Sequence, residues 1–138
     1  MEKLTCKDLM VGDQVYYKSK TKDEYKIGTV NLIRNDNYLQ VDYCDTEIDN
    51  VKPIQLTAEI LEKKGFSLVA MPENFPYKVF DSEDKRIQVC DISNSGEGYW
   101  NVHIDNEDFS TIGSCDVRYV HEMQHLFNLC KYEKEITL

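Results

Sequence analysis

The chain has 138 residues, 41% hydrophobic and 11% aromatic, with only 6 glycines and 3 prolines. That is enough apolar material for one domain, or two small lobes, and it excludes a fibrous or compositionally disordered chain. With 25 acids against 16 bases and a formal charge of -9, the field of the whole molecule repels phosphate, so nucleic acid is a disfavoured partner.

Met1 to Asp8 carry no apolar run of the secretory kind, and no stretch approaches the ~20 apolar residues that cross a bilayer. The five cysteines are Cys6, Cys44, Cys90, Cys115 and Cys130, with no C-x-x-C pair among them. Neither a zinc ribbon nor a redox dithiol is readable from that spacing. The expectation is buried free thiols in a reducing cytoplasm, without a membrane partner. Acidity is uneven: residues 1–65 hold 10 bases and 12 acids, residues 66–138 hold 6 and 13.

Residues 1–56 read as short strands. Val11-Gly12-Asp13 is a turn, and a strand follows over Gln14 to Lys18. A polar tip from Ser19 to Glu24 leads into Tyr25 to Arg34, where the alternation changes face near Gly28 as a β-bulge would cause. After the turn Asn35-Asp36-Asn37, residues Tyr38 to Tyr43 alternate, with Leu39, Val41 and Tyr43 on one side. A fourth short strand is predicted near Val51 to Leu56. Strongly bent strands in so short a segment predict a small SH3-like barrel, a closed shape that limits exposed edges.

Residues 57–66 read as a linking helix. Thr57 is its N-cap, Leu56 and Leu61 form a hydrophobic staple, and Gly65 stands at the left-handed C′ position with Phe66 folding back on Leu61. Residues 67–138 then form an α+β lobe. Its predicted strands are Tyr77 to Phe80, Arg86 to Ile92, Tyr99 to Ile104 after a turn at Asn94 to Gly98, and Thr111 to Ser114. A final helix over 117–132 carries the stripe Tyr119, Val120, Met123, Leu126, Phe127 and Cys130. The fold class is thus α+β: the barrel, then a small antiparallel sheet packed by a C-terminal helix. Leu61, Phe66, Val120, Met123 and Phe127 are expected in the core.

The stretch PIQLTAEILEKKGF at 53–66, the later RYVHEMQHLFNLC and EKEI, and the opening LMVGDQVYY resemble a group of uncharacterised small proteins of gut Bacteroidetes, often encoded in prophages or integrative elements. The resemblance implies an accessory cytoplasmic protein of such an element or its host. It transfers no functional residue.

His121-Glu122-Met123-Gln124-His125 matches H-E-x-x-H on a predicted helix, the pattern in which two His hold zinc and the Glu activates its water. A third ligand is missing at the usual spacing, since Asn128 and Lys131 occupy those positions. With Met123 central to the buried stripe, both His lie about 160° away from it and are expected to face water or a partner. No metal or other cofactor is therefore favoured, and a zinc hydrolase using His121, Glu122 and His125 is the alternative reading. Asp105-Asn106-Glu107-Asp108 starts like a calcium loop, but Phe109 and Ser110 break the pattern.

The remaining constellation is a lysine-rich hairpin. Lys18, Lys20, Lys22 and Lys26 stand beside Tyr16 and Tyr25, and SH3-like barrels use such aromatics and loop cations to bind peptides or RNA. The competing explanation is that lysines shield an edge from strand pairing. The leading reading is a non-enzymatic module that binds another protein, with an RNA-binding barrel as a further alternative.

Overall fold

The computed structural model describes residues 4–19, 22–92, 98–105, 108 and 111–129. Lys20, Cys130, most of the turn at 94–98 and part of the acidic loop at 105–110 lie outside them. The chain is α+β, with mostly antiparallel sheets and a C-terminal helix, and the first sheet is a half-barrel. By contact it divides into two compact units, residues 4–55 with 119–125, and residues 56–118 with 126–129.

In the first unit five strands follow in the order β4-β3-β2-β1-β5. They are β1 (Gln14–Tyr17), β2 (Lys26–Ile33), β3 (Tyr38–Val41), β4 (Cys44–Glu47) and β5 (Val51–Lys52), with a 3₁₀ turn at Ile48–Asn50 before the last. Every neighbouring pair is antiparallel. Strand alternation sends Val15, Val30, Leu39, Val41 and Val51 inward, where Cys6, Leu9 and Ile48 complete the core.

Three expectations for this unit need correction. Tyr43 does not share a face with Leu39 and Val41. It lies with Asp42 in a two-residue hairpin turn, both at positive φ (63° and 49°), and is 83% exposed. This is the pattern of a type I′ turn, in which backbone twist matches the strands it joins. The hairpin leads into β4, whose position was not predicted, and the strand predicted at 51–56 covers only Val51–Lys52. The register slips between Val30 and Leu32 instead of at Gly28. Gly28 keeps regular pairing with Val15. Its lack of a side chain serves packing: a Cβ there would lie 2.5 Å from the Tyr17 ring and 2.7 Å from Val41.

In the second unit, helix α1 (Ala58–Lys63) forms as its flanks predict. The Thr57 hydroxyl accepts from Ile60 N–H at 3.3 Å. Gly65 takes φ +89°, Phe66 N–H donates to Leu61 C=O and Gly65 N–H to Glu62 C=O, the paired closure of a Schellman cap. The sheet is a meander of β6 (Ser67–Leu68), β7 (Val79–Asp81), β8 (Ile87–Asp91), β9 (Trp100–Asp105) and β10 (Thr111–Val117). Ile87, Val89, Val102 and Ile104 alternate into full burial, and the buried Trp100 indole donates to Leu56 C=O at 3.0 Å. A buried indole N–H needs such a partner. β10 runs to Val117, so helix α2 (Val120–Leu129) starts three residues later than predicted.

The five predicted core residues, Leu61, Phe66, Val120, Met123 and Phe127, are all buried. Cys6 is buried, Cys90 is half-buried, and Cys44 and Cys115 are exposed, so among the described cysteines the expectation of buried thiols holds fully only for Cys6. Among the described residues no helix is long and apolar enough to cross a membrane.

Candidate functional site

Two places in the first unit collect the side chains singled out by sequence. One is the start of α2. The chain enters it through an antiparallel bridge between Tyr119 and Gln55, and Val120 N–H donates to Ile54 C=O at 2.8 Å. Tyr119 then stands at the N-cap and Glu122 three positions on. Glu122 Oε1 accepts the Tyr119 N–H at 3.0 Å, half of a capping box, which satisfies a donor the helix leaves open.

Opposite lies the turn Met10 to Asp13, where Gly12 takes φ +99° and Asp13 N–H donates to Met10 C=O. Positive φ at the third turn position is what glycine supplies without steric cost. The turn buries the Asp13 carboxylate, 2% exposed, whose Oδ2 accepts Met10 N–H at 2.8 Å. The same oxygen is 2.6 Å from His125 Nε2. An ionised carboxylate only accepts, so Nε2 is the donor in this contact. One turn away, Gln124 Oε1 accepts Gln14 N–H at 3.0 Å. These contacts tie the helix to the beginning of β1.

His121 completes the group. It is 3% exposed, stacked on Tyr119 at 5.7 Å and 10° between planes, and edge-on to His125 at 5.6 Å. Its Nδ1 is buried without a hydrogen-bond partner. Burial lowers its pKa below the usual histidine range, against the opposing pull of Asp13, Glu122 and Asp8. Beside these side chains opens a pocket of about 410 Å³, bounded by Leu4, Lys7, Asp8, Met10 and Pro53 on the barrel side and by Tyr119, His121, Glu122 and His125 on the helix.

The expectation that both His face water or a partner therefore fails for His121, which is buried, while His125 keeps 28% of its side-chain surface exposed beside Asp13. The amphipathic argument assumes one covered face, whereas residues 120–127 have no exposed member. The segment around residues 4–13 covers the face opposite Met123. The H-E-x-x-H pattern is present with correct spacing, but its Glu caps the helix and its second His pairs with Asp13. Among the described residues no group of three or more His, Cys, Asp or Glu side chains is arranged to hold a metal ion. Sequence reasoning did not find Asp13 as a partner. It read as a turn residue, and its histidine is 112 positions away.

The second place is the outer face of β1, β2 and β5. Tyr16 pairs in register with Ile27 on one side and Lys52 on the other. Side chains of directly paired residues share a sheet face, so these three form a row. Tyr16 and Ile27 are 36% and 46% exposed. The ammonium groups of Lys52 and Lys18 lie 4.4 Å and 5.4 Å from the centre of the Tyr25 ring, within cation–π range. Of the predicted binding residues, Tyr16, Lys18 and Tyr25 thus fall in or beside one patch. Lys22 is exposed on the preceding segment. Lys26 pairs with Tyr17 and so belongs to the opposite face of the ladder. Lys20 lies outside the described residues. Ile27 and Lys52 were missed, because only strand register brings them beside Tyr16.

Comparison of the chain with protein-family models, with curated proteins and with solved structures finds no match.

Proposed function

We propose that this protein is a non-enzymatic protein-binding module on an SH3-like barrel, which holds an acidic segment of a partner against the Tyr16, Tyr25, Lys18 and Lys52 face. The observation that carries the reading is the Tyr25 ring with two ammonium groups over it on a chain whose overall charge is -9. A local cationic and aromatic patch selects an acidic segment by short-range complementarity. The strand order β4-β3-β2-β1-β5, with a 3₁₀ turn before the last strand, supports the SH3-like assignment. Surface thiols at Cys44 and Cys115 suit a reducing, cytoplasmic setting. A role in a mobile element, in host interaction or counter-defence, rests on the sequence resemblance alone.

The test is a titration of the whole chain, followed by amide NMR, with a Glu-rich peptide and with single-stranded RNA of equal length. The reading expects saturable shifts at 16–18, 25–27 and 52 with the peptide, lost in Tyr16→Ala/Lys52→Glu and kept in Phe75→Ala. RNA binding at the same residues promotes the RNA-binding alternative. A stoichiometric zinc requirement for a hydrolytic activity lost in Glu122→Gln promotes the zinc-hydrolase alternative.

A further inference from the structure

The pocket at the start of α2 has a chemistry of its own, independent of the outer face. Its volume of about 410 Å³ falls within the range of small-molecule sites. Leu4, Met10 and Pro53 supply apolar wall on the barrel side, and Tyr119 stacked flat on His121 supplies an aromatic one.

The charges have one predominant sign. Asp8 and Glu122 line the pocket and Asp13 stands directly behind His125, against the ammonium of Lys7, the one Lys or Arg among the described lining residues. A helix N-terminus ordinarily attracts an anion. Here that position is taken by the chain's own Glu122, whose carboxylate accepts the Tyr119 N–H. What remains is a negative field, a polarizable ring face and a buried ring nitrogen on His121 that has no hydrogen-bond partner among the described residues. Buried polar atoms without a partner are costly and uncommon, and a ligand is one way to satisfy them.

We propose that this pocket binds a small organic cation with an apolar body, an amine or amidine, its charge set among Asp8, Glu122 and the His125–Asp13 pair and its body against Tyr119, Leu4 and Met10. The carboxylates provide charge-assisted acceptors, and the ring faces favour a cation over a neutral or anionic analogue of the same shape.

Benzamidine is a suitable probe, with benzyl alcohol and benzoate as neutral and anionic counterparts of similar size. Titrated into the full chain, benzamidine is expected to shift amides of residues 4–10 and 119–125 saturably, and benzoate to leave them unmoved. Glu122→Gln keeps a cap-forming side chain while removing one charge, and should weaken benzamidine roughly three- to tenfold, as loss of one nearby charge in a partly screened site predicts. Asp8→Asn, at an exposed position, should weaken it in the same direction without loss of fold. Equal binding of all three probes, saturable binding of benzoate alone, no saturable shift with benzamidine, or affinity unchanged in both variants would overturn the proposal. Binding at the outer face is read from different amides, so its failure is separately visible.

Discussion

The start of α2 and the outer face of the half-barrel sheet belong to the same compact unit, yet they use polar side chains in opposite ways. At α2, Glu122, Gln124 and His125 each bond within the chain, so the five-residue metalloprotease-like pattern acts mainly as a set of fixings. On the outer face, Lys18, Lys52 and Tyr25 touch chiefly one another, at the surface, where such contacts are weak and exchangeable. The contrast teaches that a chemical motif is judged by which of its groups are already engaged. An engaged group contributes to stability, even where a carboxylate such as Glu122 keeps further lone pairs for a ligand, and an exposed one is open to a partner.

The largest effect that sharpens this contrast is expected at Met123, which is fully buried and stands between the two histidines of the motif in sequence. Met123→Ala should cost about 2–5 kcal/mol in urea unfolding, as deletion of a core side chain does. A cost below about 0.5 kcal/mol would break the view that this helix face is core.

Gly28→Ala tests the inner side of the face that carries Tyr16 and Ile27. Its new methyl would meet the Tyr17 ring and Val41 far inside contact distance, so a loss of about 1–3 kcal/mol is expected, as overpacking gives. His125→Ala removes a charge-assisted bond from the buried Asp13 carboxylate and should cost about 1.5–3 kcal/mol by chemical denaturation. If it is neutral, the Asp13 contact does not fasten the helix.

The pH dependence follows from His121. Its native pKa is lowered by burial, while Asp13, Glu122 and Asp8 oppose the shift and His125 adds to it. The unfolded ring, near its ordinary pKa of about 6.5, therefore binds a proton more readily than the native one. Stability from this group is fully present above that value and falls as pH drops below it, until the native ring also titrates. Subtracting the stability–pH profile of His121→Gln from that of the parent isolates the contribution. A difference curve that is flat between pH 7 and 5, or rises toward acid, contradicts the assignment. The smallest effect belongs to the outer face: Lys52→Glu should change unfolding free energy by no more than about 0.5 kcal/mol, while abolishing binding of the acidic peptide. Equal damage to both would make the patch structural.

The local features of this fold were legible because they depend on neighbours in sequence. Thr57, Gly65 and Phe66 marked both ends of α1, and the alternation of Ile87 with Val89 marked a strand with its buried face. The Asp42-Tyr43 turn was not legible, since its second position holds Tyr43 where a left-handed turn usually has glycine, although Asp42 is a common choice at the first. Its conformation is supported from other strands, by the Tyr43 N–H donating to Asn31 Oδ1 and the Asp42 carboxylate accepting Thr29 N–H.

The candidate site divides along the same line. Sequence by itself determined that α2 is amphipathic around Met123, and that Tyr16, Lys18 and Tyr25 lie close together along the chain. Tertiary structure alone decided that His121 is buried, that His125 meets Asp13, and that Lys52 joins Tyr25. The physical reason is range. Periodicity reports which face of an element has apolar side chains, because burial of those atoms drives the element to pack. It carries no information about a polar face that a segment over a hundred residues away covers and satisfies by hydrogen bonds. Desolvation of that face is offset by specific partners whose positions follow from the turn at Gly12 and the register of β1, neither of which is written in the helix.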